Sequence, residues 1–185
     1  MSLELFSTIL TIGSMAVSAV LLISLVLFQV SAKFREHVYT HSYWRFLTAM
    51  GVLSVVSIAG ALIYQLVYLT PVCELCWWQR IFFFPISVIS LVAFWRKSKE
   101  AHITIAILAA LGLFYASYHY YYHFQGLVLG NKLALPCSSG GLLPACTDSP
   151  ILIFGFVTIP FMGILMFLSM LILAYFAQKV LKRTT

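Results

Sequence analysis

TPVCELCWWQRIFFFP, residues 70–85, sets two cysteines three positions apart, then two tryptophans, a glutamine and an arginine, all against an apolar run. Pro71 cannot donate to a helical ladder and so closes the span before it. A new helix starts at about the cysteines. A helix N-terminus carries partial positive charge and unshared N–H groups, and both favour thiolate over thiol at Cys73 and Cys76. Gln79 and Arg80 follow Cys76 at i+3 and i+4, so one helix stripe presents thiol, amide and guanidinium where the apolar run begins.

The surrounding chain tells what that apolar run is. Of 185 residues, 62% are hydrophobic and 9% charged, whereas a soluble domain is about half apolar and a quarter charged. Such a chain cannot hide its apolar surface in its own core, and the expected fold class is an all-α integral membrane protein. Five stretches are long enough to cross: Leu5 to Val30, Phe46 to Leu69, Trp77 to Trp95, Ile103 to Tyr122, and Ile151 to Gln178. The third carries Gln79 and Arg80 in its first turn, so Arg80 must either snorkel to headgroups or be buried within a bundle. The opening MSLELFSTIL has no Lys or Arg ahead of its apolar run. With an apolar core too long for a signal-peptide h-region, it is expected to be retained as a span.

The formal charge of +6 does not point to nucleic acid, because in a membrane chain basic loops follow the positive-inside rule. Lys33, Arg35 and Arg45, then Arg96, Lys97 and Lys99, then Lys179, Lys182 and Arg183 alternate to share one face. That face, with the C-terminus, is expected to be cytoplasmic. The N-terminus, the turn around Cys73 and the loop 124–150 then lie outside. Both cysteine pairs, Cys73 with Cys76 and Cys137 with Cys146, fall on the exported side, where disulfides persist.

Cys-x-x-Cys is the common redox spacing and closes too short a loop for much entropic cross-linking. Cys137 and Cys146 bracket SSGGLLPA, a segment able to fold back on itself. They could form a loop-closing disulfide, which the chain-entropy model values at roughly 2.5–3 kcal/mol. They could instead exchange electrons with the first pair. Trp77 and Trp78 read as interfacial belt residues. His119 and His123, four apart on one helix face, could be interfacial, could hydrogen-bond a ligand, or could bind metal or haem. His37, His41 and His102 are expected to have no chemical role.

CELCWWQR resembles the Cys-x-Leu-Cys-x-x-Gln-Arg signature of the DsbB family of membrane disulfide oxidoreductases, most closely its shorter, BdbC-like branch (disulfide formation protein C). The resemblance runs from about Phe46 to Gln178 and takes in the exported loop with its second cysteine pair and the span ending SYHYYYHFQ. It implies a four-helix redox bundle over residues 46–185, preceded by an extra transmembrane helix and cytoplasmic linker over 1–45. It also implies an enzyme of the bacterial plasma membrane. Such an enzyme reoxidises an extracytoplasmic thioredoxin-fold partner (DsbA/BdbD-like), supports disulfide formation in exported proteins, and passes electrons to a membrane quinone, ubiquinone or menaquinone. Carried over, Cys137 would form the mixed disulfide with the partner, Cys146 would relay to Cys73, and Cys76 would be the quinone-proximal sulfur. Arg80 would polarise the quinone and stabilise the thiolate. Cys76, Gln79, Arg80, His119 and His123 are the residues the resemblance sets against the cofactor, and no metal is expected. His123 stands where the family often has glutamine. In the related vitamin K epoxide reductase arrangement the quinone-side pair comes after the loop pair; here it comes first. Two other readings stay open: a structural membrane protein with stapled loops, and a zinc site built from all four cysteines.

Overall fold

The structure is a computed structural model that describes residues 2–70, 72–130 and 151–184. Among them run six helices: α1 Leu3–Val30, α2 Ala32–Tyr39, α3 Tyr43–Leu66, α4 Glu74–Arg96, α5 Ala101–His123 and α6 Ile159–Thr184. A single π-helical turn, Phe124–Val128, continues α5. All but α2 are long and apolar enough to cross a membrane. The chain is an all-α integral membrane protein, as its composition requires.

Several boundaries differ from expectation, the second span among them, which runs Tyr43–Leu66 rather than Phe46 to Leu69. The third span begins at Glu74 rather than Trp77, with Cys73 as its N-cap. Glu74 suits the positive end of the helix dipole, so the helix starts before the uninterrupted apolar run does. The last span begins at Ile159, eight residues later than the apolar stretch suggests. Before it, Ile153 and Val157 pair as an isolated bridge around Phe154 and Gly155, both at positive φ (53° and 75°). Hydropathy cannot see that turn, but glycine adopts its backbone readily. Pro160 then sits in the first turn of α6, where its missing N–H costs nothing. The loop expected over 124–150 loses its first five residues to the π-helical turn. The linker expected before the second span contains α2.

Helix α6 is the central element, packing on α5, α3 and α1, while α3–α4 and α4–α5 pack as neighbours. Side chains from α3, α4, α5 and α6, including Leu47, Met50, Ile86, Ile105 and Phe167, form the main buried cluster. Close approach comes from small residues, as is usual between membrane helices. Phe167 of α6 lies over Gly112 of α5, where an added Cβ would stand 2.4 Å from the ring. The same ring stacks on Phe83 of α4 at 4.0 Å. Helix α1 is fastened to α6 by hydroxyls: Ser18 Oγ donates to Leu165 O at 3.1 Å and lies 3.0 Å from Ser169 Oγ.

The basic segments collect at one end of the bundle. Arg183 pairs with Glu36 of α2 at 2.8 Å, and Lys97 Nζ lies 5.2 Å from the Trp44 ring centroid. His102 is buried there against Tyr43 and the Lys99 carbonyl. The Cys-x-x-Cys turn occupies the other end.

Candidate functional site

Cys73 precedes α4 in an extended conformation, φ −80° and ψ 169°, and its side chain makes no capping bond. Its sulfur lies 3.4 Å from Cys76 Sγ in the first turn. Cys73 is buried and Cys76 half-buried.

The stripe expected beyond Cys76 divides in two. Gln79 turns toward α5, where its Nε2 lies 2.9 Å from His119 Nδ1. His119 Nε2 in turn lies 3.5 Å from Cys73 Sγ. With the amide donating to Nδ1, the ring proton sits on Nε2 and points at the Cys73 sulfur. Gln79 reaches across Gly163 of α6, where a Cβ would stand 2.6 Å from Oε1. His119 is fully buried, and His123 packs edge-on to it at 4.4 Å.

Arg80 turns the other way, toward α3. It is 5% exposed, so burial prevails over snorkelling. Nη1 donates to Gln65 Oε1 and Nη2 to Ala61 O, while the guanidinium carbon lies 5.1 Å from the Trp77 ring centroid. Among the described residues, buried Nε has no acceptor. Trp77 thus supports Arg80, and Trp78 stacks on Tyr115 at 5.2 Å, so neither is only a belt residue.

Cys76, Gln79 and Arg80 open onto a cavity of about 360 Å³, otherwise lined chiefly by aliphatic side chains of α3, α6 and α1. His119 and His123 are not in its wall. They stand behind Gln79, on the thiol side, and not against a ligand in the cavity. Cys73, Cys76 and His119 also bring their donor atoms within 4.8 Å of one another, a two-sulfur, one-nitrogen set whose chemistry suits zinc but fills three of four tetrahedral positions. Cys137 and Cys146 lie outside the described residues.

The family model for disulfide bond formation protein DsbB matches residues 42–177. The chain belongs to the DsbB family. It is 32% identical over 138 residues to a probable disulfide formation protein of Coxiella burnetii, covering 73% of this chain and 87% of that one. It is also 32% identical over 127 residues to disulfide bond formation protein C of Bacillus subtilis, covering 69% and 88%, in keeping with the BdbC-like branch. No solved structure matches it. As a DsbB-family member it is a multi-pass membrane protein of disulfide bond formation. The family match starts just before α3, so α1 and α2 lie outside it.

Sequence reasoning missed Gln65 and Gly163. Gln65 could have been found as the polar residue in the otherwise apolar end of its span; nothing in the sequence marks Gly163.

Proposed function

We propose that the protein oxidises a thioredoxin-fold dithiol partner outside the cell and passes the two electrons to a membrane quinone. The observation that carries this reading is one juxtaposition: Cys76 and the buried Arg80 together line an apolar cavity at the end of the bundle opposite the basic loops. A buried cation is costly without a counter-charge or acceptor, and an acceptor oxygen on an apolar ligand in this cavity would lie beside the Arg80 side chain. The net reaction is dithiol plus quinone to disulfide plus quinol, with two electrons and two protons moved. A quinone, when bound, supplies the terminal two-electron sink.

The partner thiolate attacks the Cys137–Cys146 disulfide, and the partner's second thiol resolves the mixed disulfide at Cys137. The released Cys137–Cys146 dithiol then reduces the Cys73–Cys76 disulfide. His119 faces the Cys73 sulfur with its N–H, Gln79 fixes that tautomer, and Arg80 stabilises negative charge at Cys76 and at the acceptor oxygen. Residues 1–45 add a helix and linker to a redox bundle over 46–185. The basic end faces the cytoplasm, by the positive-inside rule.

The test is quinone reduction by purified protein with a reduced thioredoxin-fold donor. Cys76→Ser should abolish turnover, and Arg80→Ala should raise the quinone KM. Wild-type rates in both variants would defeat these roles. Stoichiometric zinc in the purified protein, with no reoxidation of the thiols by quinone, would favour the metal site instead.

A further inference from the structure

Helix α1 lies outside the family match yet forms a wall of the cavity at Cys76 and Arg80. Ile9, Leu10, Gly13, Ser14 and Val17 line it on one side, and Leu53, Val56, Ser57 and Gly60 of α3 on the other. The cause is how α1 is held. Its hydroxyl bonds and main packing go to α6, and it meets α3 only sparsely. Leu10 bridges to α3 at Gly60, where an added Cβ would lie 3.2 Å from Leu10 Cδ1. Beyond that bridge the helices stand apart. At Gly13 no atom beyond the local backbone of α1 and the two flanking residues lies within 4 Å of the place a Cβ would take, so its missing side chain is open space in the cavity wall.

The cleft does not end there. A second space, an open cleft of about 790 Å³, shares Val17 and Leu53 with the first and continues between α1 and α3 to Trp44 and Arg45 near the basic end. The two together make a polar head site at Cys76 and Arg80 next to a long, open apolar groove. We infer that α1 completes the quinone site: its Gly13 face holds the first units of an isoprenoid tail, and the α1–α3 cleft takes the rest. This rests on the quinone reading above. Tail length is then read by α1.

The test compares wild type, Gly13→Phe and Ile12→Phe in lipid nanodiscs, using quinones of one isoprene unit and of eight. Ile12 is exposed on the far side of α1 and serves as the control. Gly13→Phe should raise the KM of the long-tailed quinone by about tenfold and that of the short one less, with Ile12→Phe at the wild-type value. Independently of any variant's folding, a photoreactive long-tailed quinone should label wild-type protein within residues 9–17. A wild-type KM in Gly13→Phe, or label confined to α3, α4 and α6, overturns the role of α1 and leaves the quinone reading standing. Label at residues 9–17 from a photoreactive phospholipid acyl chain but not from the quinone makes the cleft a lipid site and also overturns it. Absence of quinone reduction and of quinone label in wild type defeats the quinone reading itself.

Discussion

Arg80 keeps a full charge inside an apolar bundle because its fork is shared out: one nitrogen to Gln65 and one to Ala61 O, with Trp77 beside the guanidinium. Lysine carries the same charge without the fork. Arg80→Lys should therefore raise the quinone KM by about tenfold although the charge is kept, as steady-state kinetics at varied quinone would show. On the other side of α4, Gly163 leaves room for Gln79 to reach His119. Gly163→Val should push the amide off the ring and release the tautomer that points N–H at Cys73. The expected readout is slower alkylation of reduced Cys73 at neutral pH, by a few fold, in a protein whose helix content is unchanged. An unaltered alkylation rate would remove Gln79 from this role.

At the scale of elements, the stack of Gly112, Phe167 and Phe83 ties α5, α6 and α4 together. Gly112→Ala should force the ring aside and destabilise the bundle by about 1–3 kcal/mol, the usual cost of overpacking. Unfolding in mixed micelles would measure it, and Phe167→Leu in the same chain should restore part of the loss. Helix existence was legible at this scale because each span is a long apolar run. Helix ends were not. The positive-φ turn at Phe154–Gly155 and the early start of α4 depend on backbone geometry and the dipole, which hydropathy does not register. The candidate site was half legible. The Cys-x-x-Cys spacing and Arg80 announced themselves as chemistry in an apolar context. Which way Gln79 and Arg80 turn was decided by neighbours on α3, α5 and α6 that lie 15 to 84 positions away in sequence, among them Gln65 and Gly163.

For the whole molecule, the alternation of basic segments puts α2, the α4–α5 turn and the end of α6 together, and the structure gathers them through Arg183–Glu36 and Lys97–Trp44. A cysteine placed at Lys97 should react with membrane-impermeant maleimide only in inverted vesicles, and reduced native cysteines only in right-side-out cells. Reaction of both from one side would reverse the topology on which the electron path depends. The gathering of the basic segments at one end was readable from lysines and arginines without any contact being known.

Cys73 sits just outside the ladder of α4, and Cys76 one turn inside it. Closing or opening their bond thus asks for side-chain torsions alone, with no helical hydrogen bond to break. The membrane-embedded body can serve as a fixed stator, and opening the Cys73–Cys76 bond alone should leave the melting temperature nearly unchanged.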